Sequence, residues 1–239
     1  MIAIIAPMKK SELFILVIAL FLLPSFGYSQ IDESKLGAWY MYFFSANFKD
    51  GPWGVQGDVQ YRTWNGGNDM EQLMLRGGLT LSPKKPDVKF TLGYANIQTG
   101  AYGESDATTP ESRIYQEALI PHQVSRRFYL THRFRYEQRF VQGQDFRTRY
   151  RYNLFMNVPI NNKSLIKNTV YLALYNELFI NGERGIGDGR SVQIFDRNRF
   201  YTALGYVINP KLKVQLGMMR QTTDSWAKTQ AQISLHHNF

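Results

Sequence analysis

Residues 128–158 read FYLTHRFRYEQRFVQGQDFRTRYRYNLFMNV, and this stretch decides the fold. In its first half, apolar residues alternate with a polar or charged set made up of Thr131, Arg133, Arg135, Glu137 and Arg139. In its second half, the alternating polar set is Arg147, Arg149, Arg151 and Asn153. A two-residue period places the two sets on opposite faces of a strand, whereas a helix would spread both sets around its circumference. The stretch therefore predicts two long antiparallel strands joined by a short turn.

The same period recurs along the chain and defines a series of candidate strands. They lie at residues 36–48, 53–63, 71–82, 88–98, 113–120, 128–140, 146–158, 167–179, 197–208, 212–222 and 227–239. Strands of about 9–11 residues with one apolar and one polar face, joined alternately by short and longer connections, are typical of transmembrane barrels. We therefore predict an all-β chain that forms an antiparallel, up-and-down transmembrane β-barrel.

The expected number of strands follows from the positions of the chain ends. Bacterial single-chain barrels have an even number of strands because both ends face the periplasm. If the last strand ends in the periplasm at Phe239, the segment 36–48 would begin on the outer side. We therefore expect either ten strands, with that segment outside the wall, or twelve, with one further crossing. A terminal phenylalanine also resembles the carboxy-terminal signal that barrel-assembly machinery recognises, so Phe239 is the expected assembly signal.

The amino end has the three-part build of a secretory signal peptide. Two lysines at positions 9–10 precede an unbroken apolar run at 13–23, and small residues stand three positions and one position before Gln30. The run is much shorter than the roughly 20 residues that a membrane helix needs. Met8 directly precedes the lysines and is the expected start. We expect residues 1–29 to be removed by cleavage and residues 30–239 to form the barrel.

Composition excludes several classes of protein. The sequence after the expected signal peptide contains no apolar run that approaches the length of a membrane helix. The chain carries a net charge of +9 and many aromatic residues, with 15 Tyr, 16 Phe and 4 Trp, which are common in strands and at membrane interfaces. Basic charge alone would suit a nucleic-acid partner, but export and the dispersal of arginine along inward faces argue against one. We therefore expect no nucleic-acid partner.

Several short motifs carry a resemblance to a known family. They are RIYQ at 113–116, RFRYEQRF at 133–140, RTRYRY at 147–152, YNELF at 175–179, and NRFY at 198–201 before GY at 205–206. On these motifs the chain resembles a family of bacterial outer-membrane proteins known as a domain of unknown function. The resemblance spans most of the chain after residue 29. It implies a location in the cell outer membrane, with outer-membrane lipid around the wall, and it implies no particular activity.

The inward face of the central hairpin carries the candidate site. If Phe140 pairs with Phe146, then Arg139 faces Arg147, Glu137 faces Arg149 and Arg135 faces Arg151. Directly opposed like charges are unfavourable, so we expect carboxylates from the flanking strands to lie between the arginines. The predicted lumen charge ladder therefore consists of Arg133, Arg135, Glu137, Arg139, Arg147, Arg149 and Arg151, together with Glu117 and Glu177.

Two interpretations of this ladder remain open. Guanidinium groups bind carboxylate or phosphate in a bidentate manner, and rings of arginine select anions, so the ladder could be a positively charged constriction or an anion-binding groove. It could instead be a salt-bridged filling, since small barrels are packed largely by their own side chains. The second interpretation is the simpler one. In either case the chain is expected to be structural, or to transport or bind small solutes passively, with anions as candidates.

Alternative classes are a secreted, soluble β-sandwich binding protein and an outer-membrane enzyme that modifies lipid or peptide. A sandwich would also alternate, but here arginine and glutamate lie deep inside strands of membrane-spanning length. Catalysis would need a nucleophile with a base and an orienting group, and none of the four histidines has Ser and Asp at suggestive strand positions. Adjacent His236 and His237 point to opposite faces, which disfavours a shared metal. We expect no catalytic residue, no metal and no cofactor, and the solute and any accessory protein stay open.

Overall fold

A computed structural model describes residues 31–49, 51–103 and 105–239, and Ile31–Phe239 form one compact unit. The expected signal peptide at residues 1–29 lies outside the described residues. Within them the secondary structure consists of strands joined by turns, and no segment is a helix long and apolar enough to cross a membrane. The described part of the chain is therefore all-β.

Eleven strands make up this described part. They are β1 (Gly37–Asn47), β2 (Trp53–Asn65), β3 (Asn68–Leu81), β4 (Lys89–Gly100), β5 (Thr108–Gln123), β6 (Tyr129–Val141), β7 (Arg147–Pro159), β8 (Val170–Asn181), β9 (Phe195–Asn209), β10 (Leu212–Thr222) and β11 (Ala227–Asn238). Each candidate strand predicted from the period of two corresponds to one of them. The local pattern was therefore sufficient to locate the strands.

The strands close into a single barrel. Sequential neighbours pair antiparallel, and β1 closes the wall by pairing parallel with β11, from Gly37 opposite Gln230 to Ser45 opposite Asn238. The expectation of ten or twelve strands is wrong for the described residues. The segment 36–48 is a wall strand, because it pairs with β2 on one side and with β11 on the other and so leaves neither edge unpaired.

The odd number of strands in the described barrel determines where the ends of the described chain lie. Because β1 and β11 run in the same direction, the chain enters the wall at one end of the barrel and leaves it at the other. We call the end at which β1 and β11 begin the Gly37 end, and the end at which β11 finishes the Phe239 end. The described amino-terminal residues and the carboxyl terminus therefore lie at opposite ends of the barrel.

The predicted alternation of short and long connections is not present. β2 and β3 continue to a two-residue turn at Gly66 and Gly67, whose φ angles of 50° and 136° glycine adopts without steric cost. The connections 182–194 at the Gly37 end and 160–169 at the Phe239 end are both long. Loop length therefore does not distinguish the two ends.

The wall is apolar outside and polar inside. Leu204 and Leu216 lie opposite each other on β9 and β10 and are 60% and 64% exposed. Inward side chains of the same wall include fully buried Gln230 and Gln232 and most of the arginines of the chain. Inward apolar side chains form two clusters among the described residues. The larger consists of Trp39, Tyr171, Ala173, Tyr201, Ala203, Val207 and Met219, and the smaller of Met74, Ala95, Ile97 and Tyr115. A β-sandwich buries its apolar face, so the sandwich alternative is wrong.

Candidate functional site

The charge ladder has the predicted register. On β6 and β7, Arg139 lies opposite Arg147, Glu137 opposite Arg149 and Arg135 opposite Arg151. The strands that flank this hairpin bring carboxylates to its arginines, and the two predicted ones come from opposite strands. Glu117 on β5 and Glu177 on β8 therefore meet the ladder from opposite sides.

The flanking carboxylates separate the like charges of the hairpin. Glu117 accepts a hydrogen bond of 2.7 Å from Arg135 Nε. Glu177 Oε1 accepts hydrogen bonds from Arg151 Nε at 2.9 Å and from Arg133 Nη2 at 2.6 Å. Each carboxylate thus neutralises guanidinium groups that would otherwise face one another, as expected for an interleaved ladder.

Glu137 is the centre of the ladder. Its side chain is 1% exposed, and its carboxylate bonds Arg149 Nη2 at 2.7 Å and Arg151 Nη1 at 2.6 Å. Arg113 Nη1 lies 3.6 Å away and Arg135 Nη1 lies 3.8 Å away. A single buried carboxylate therefore contacts four guanidinium groups, and neighbouring strands depend on it for charge balance.

Further ionic residues belong to the site but were missed in the sequence. Glu111 binds Arg113 Nε at 2.6 Å and also binds Arg139, while Asp58 binds Arg76 Nη2 at 2.9 Å. The sequence could have indicated Glu111 and Arg113. Both lie an even number of residues from Glu117 and therefore face the same side of β5. The prediction was restricted to the central hairpin and its immediate partners, so Glu111, further along β5, and Asp58, on β2, were overlooked.

Arg62 and Arg199 are two of three deeply buried arginines that form no ion pair with a described carboxylate, and Arg147 is the third. Arg62 donates to Gln60 Oε1 and to Gln72 Oε1, the latter at 2.8 Å, and Arg199 Nε donates to Gln221 Oε1 at 2.7 Å. Neutral amides satisfy hydrogen bonds but do not neutralise a guanidinium charge. Arg62 and Arg199 therefore have no described carboxylate within ion-pair distance, and Glu71 and Glu177 act on them only from further away.

Aromatic faces take the place of carboxylates around these two arginines. The guanidinium carbon of Arg199 lies 4.8 Å from the ring centroids of both Trp39 and Phe179, and that of Arg62 lies 3.7 Å from Trp39. Arg151 lies 4.4 Å from the ring of Phe179. Cations on aromatic faces are stabilised by the ring quadrupole, more strongly where water is excluded.

The lumen contains two cavities. The arginine cavity, at the Gly37 end, has a volume of about 280 Å³ and includes Glu111, Arg113, Arg139, Arg147, Phe179 and Arg197 in its lining. The aromatic cavity, at the Phe239 end, has a volume of about 430 Å³ and includes Trp39, Phe43, Phe155, Tyr171, Tyr201 and Lys213. Both are lined by Arg62, Arg76, Arg151 and Arg199, which we call the septum.

The arginine cavity retains donors that no described residue uses. Arg147 is 7% exposed, and its Nε has no hydrogen-bond partner among the described residues. Arg62 and Arg199 reach the cavity from its septum side. The cavity can therefore offer guanidinium N–H groups to an anion without first breaking an ion pair of those residues.

The histidines divide between the two faces of the wall. His132 lies outside, where its Nδ1 is 2.9 Å from the Tyr152 hydroxyl, and His122 lies in β5. His236 faces the lumen, where its Nε2 is 3.0 Å from Ser234 Oγ, while His237 contacts Tyr42 on the outside. Sequence reasoning missed the Ser234–His236 pair, although residues two apart share a strand face.

That pair lacks the third group that acyl-transfer chemistry needs. No described carboxylate forms an ion pair with His236, whose ring is stacked on Phe43 at 4.8 Å. Among the described residues, no three His, Cys, Asp or Glu side chains gather as a metal site would require. The Ser234–His236 contact is therefore a lumen hydrogen bond without an orienting acid.

The terminal phenylalanine is held in the wall by its backbone. Phe239 N donates to Ser45 O at 2.9 Å, and its ring lies 4.0 Å from the His237 ring. The carboxyl terminus is thus tied to β1 at the parallel seam. Its role as an assembly signal stays a prediction.

Fold and lumen together define a closed, mostly antiparallel β-barrel with an ion-paired interior. The family model described as Protein of unknown function (DUF2490) matches residues 36–232, and the chain belongs to this family. The matched region runs from the residue before β1 into β11 and so includes the whole charge ladder. No curated protein and no solved structure matches the chain.

Proposed function

We propose that this protein is an outer-membrane β-barrel that binds small anionic solutes in the arginine cavity. The observation that carries the proposal is the pair of buried arginines, Arg62 and Arg199, that face this cavity with no carboxylate partner among the described residues. Burying an uncompensated charge is costly, and a bound anion would supply the missing counter-charge.

The outer surface of the wall supports the membrane location. Leu204 and Leu216 expose more than half of their surface near the middle of their strands. Trp53 and Phe128 lie at the Phe239 end and Phe140 at the Gly37 end, all exposed. An exterior of exposed aliphatic and aromatic side chains along the strands is the surface that hydrocarbon and its interfaces select. Outer-membrane lipid would surround the wall, and barrel-assembly machinery would insert it, with Phe239 as the signal.

The size and chemistry of the arginine cavity favour compact anions. Its volume of about 280 Å³ is close to that of nine water molecules at about 30 Å³ each. Planar guanidinium forks match the oxygen pairs of carboxylate and phosphate. A molecule of the size of pyrophosphate or citrate, with two or more anionic groups, suits several converging forks better than a monovalent ion does.

Binding is better supported than free passage. The septum arginines line both cavities and lie between them, held by Trp39, Phe179 and the central carboxylates. We expect planar-bilayer recordings of the purified protein to show no steady conductance. An anion-selective conductance that is lost in Arg199→Gln would replace binding by transport as the function of the same arginines.

The ion-paired part of the lumen has a structural role, which is compatible with anion binding in the arginine cavity. Arg135, Arg149 and Arg151 are neutralised by Glu117, Glu137 and Glu177, so a salt-bridged filling accounts for them. Arg62 and Arg199 are not covered by that account. The ladder therefore fixes the geometry of the lumen, and the unpaired arginines bind the solute.

Calorimetric titration of purified protein in lipid nanodiscs tests anion binding, with pyrophosphate and citrate as probes. We expect saturable binding that weakens as salt rises, and an affinity at least about tenfold lower in Arg147→Met or Arg199→Gln. Arg184→Met is the matched control, because Arg184 is exposed in the loop at the same end. Equal affinities in Arg184→Met and Arg147→Met, or no binding at low salt, would refute the proposal.

Two further measurements test location and the absence of catalysis. A folded outer-membrane barrel runs faster on a gel before heating than after it and fractionates with the outer membrane. Recovery of the protein as a soluble species without detergent would exclude the membrane location. We also propose that the protein performs no catalytic step, and turnover in a screen of lipid and peptide esters that is lost in Ser234→Ala would contradict this.

A further inference from the structure

The aromatic cavity differs from the arginine cavity in the chemistry of its lining. Its volume of about 430 Å³ falls in the range of small-molecule sites. Rings and apolar side chains line much of it, including Trp39, Phe43, Phe155, Tyr171 and Tyr201. Such a lining offers flat apolar surface to a ligand body, which the arginine cavity does not.

Beyond the septum arginines, one cation in this cavity stands apart from the described carboxylates. Lys213 on β10 lies opposite Val207 on β9 and His236 on β11, and its ammonium makes no ion pair or side-chain hydrogen bond with a described residue. The inward neighbours two positions away from those partners, Ser234 and Gly205, are uncharged. The Lys213 ammonium is therefore available to a ligand.

The second lysine of the cavity has a different environment. Lys89 on β4 lies opposite Leu119, so Glu117 is its diagonal neighbour on the same face of β5. A carboxylate at this spacing lowers the local positive potential. Lys213 is thus the stronger anchor for an anionic group, and Lys89 is not needed to explain one.

The other polar groups near Lys213 are already engaged with each other. Ser234 Oγ contacts His236 Nε2 at 3.0 Å, and Gln215 Nε2 donates to the Tyr171 hydroxyl at 3.0 Å. Their hydrogen bonds satisfy the neutral polar groups beside Lys213. An unpaired ammonium in a lining that also carries aromatic rings is complementary to a ligand with one acidic head and an apolar body.

We infer that the aromatic cavity is a second binding site, for a small aromatic carboxylate whose ring lies against lumen aromatics that keep exposed surface, such as Phe43 and Phe155, and whose carboxylate is bound by Lys213. The ligand carries a single charge to match Lys213, which, beyond the septum arginines, is the one cation of this lining that is neither ion-paired nor diagonal to a carboxylate among the described residues. The inference does not depend on the proposed function of the arginine cavity, since Lys213 does not line that cavity.

Titration of the full barrel in nanodiscs with 2-naphthoate tests the site, because this probe has a flat body and a single carboxylate. The neutral naphthalene-2-carboxamide is the matched ligand control, and empty nanodiscs give the background from partitioning into lipid. We expect saturable binding of 2-naphthoate and an affinity at least about tenfold lower in Lys213→Met. Lys213→Arg should restore most of the affinity, since it keeps the charge.

Lys211→Met is the matched protein control, because Lys211 is exposed in the β9–β10 turn at the same end. It removes the same charge outside the lumen, so it should leave 2-naphthoate binding unchanged. Pyrophosphate titrations of the same samples distinguish the two sites, and Lys213→Met should retain pyrophosphate binding. Equal binding of the carboxamide, unchanged affinity in Lys213→Met, or competition by pyrophosphate would overturn the inference.

Discussion

The guanidinium carbon of Arg62 lies 3.7 Å from the ring centroid of Trp39, in direct contact with an aromatic face. Arg199 lies on the same ring at 4.8 Å, so one indole supports two buried cations. Trp39 Nε1 in turn donates to Glu71 Oε2 at 2.7 Å, which fixes the ring in place. The septum is therefore held by an aromatic residue of β1, the strand whose place in the wall the sequence left open.

Trp39 substitutions should separate the contribution of the ring from that of its hydrogen bond. Trp39→Phe keeps an aromatic face but leaves Glu71 without its 2.7 Å donor, and we expect it to destabilise the barrel by about 1–3 kcal/mol. Trp39→Leu also removes both cation–π contacts, for about 1–2 kcal/mol more. The temperature of heat-modifiable gel conversion ranks the variants. Equal stability of the two variants would show that the ring face contributes nothing.

Glu137→Gln should be among the most destabilising single changes in the lumen. It removes the carboxylate that contacts four guanidinium groups and leaves them facing one another, which we expect to cost about 3–5 kcal/mol. Asp188→Asn breaks an exposed ion pair with Arg190 and should have little effect. Urea unfolding in lipid vesicles, followed by circular dichroism, measures both. Similar midpoints for the two variants would contradict a charge-balancing role for Glu137.

Glu111→Gln should increase anion affinity. Glu111 lines the arginine cavity and neutralises Arg113 and Arg139, so its removal frees two guanidinium groups for a bound anion. We expect pyrophosphate to bind about three- to tenfold more tightly at low salt, and the gain to shrink as salt screens the cavity. Glu33→Gln, an exposed change at the same end, is the control. Weaker binding in Glu111→Gln than in the control would place the anion elsewhere.

The strands were predictable because alternation is a local property. Each segment with a period of two is a strand in the structure, and the hairpin register followed from pairing Phe140 with Phe146. Closure was not predictable, because the parallel pairing of β1 with β11 joins residues from the two ends of the chain. The even-number rule for bacterial barrels led to the wrong count.

The site was predictable only where its residues are close in sequence. The ladder on β6 and β7 was found, with the carboxylates of the strands beside it. The septum arginines Arg62 and Arg199 were missed because their contacts with Trp39 and Phe179 join four strands and depend on closure of the wall. The unpaired state of Arg62 and Arg199 is a property of the three-dimensional arrangement, with no signal in the alternation.

A charge on the outer wall should impair insertion in a depth-dependent way. Leu216→Arg places a cation at the middle of β10, where it would face hydrocarbon, and we expect a cost of about 2–4 kcal/mol in folding into vesicles. Ile160→Arg, in the β7–β8 connection at the Phe239 end, should cost about 0–1 kcal/mol. Folding yields into phosphatidylcholine vesicles test this. Equal costs at the two positions would be inconsistent with a wall that spans the membrane.

Labelling of single cysteines should place the described amino-terminal residues and the carboxyl end on opposite sides of the membrane. The native sequence has no cysteine, so each variant carries one reporter. Glu33→Cys and Ser225→Cys are exposed at the Gly37 end, and Lys211→Cys is exposed at the Phe239 end. Because β1 runs parallel to β11, a membrane-impermeant maleimide applied to intact cells should label Glu33→Cys and Ser225→Cys alike, and Lys211→Cys oppositely. Ser225 and Lys211 flank β10 and calibrate the two sides independently of β1.

If Glu33→Cys were labelled like Lys211→Cys, the described segment before β1 would lie at the Phe239 end. The parallel seam would then not form in the membrane, and the wall would have the even number of strands that the sequence rule requires.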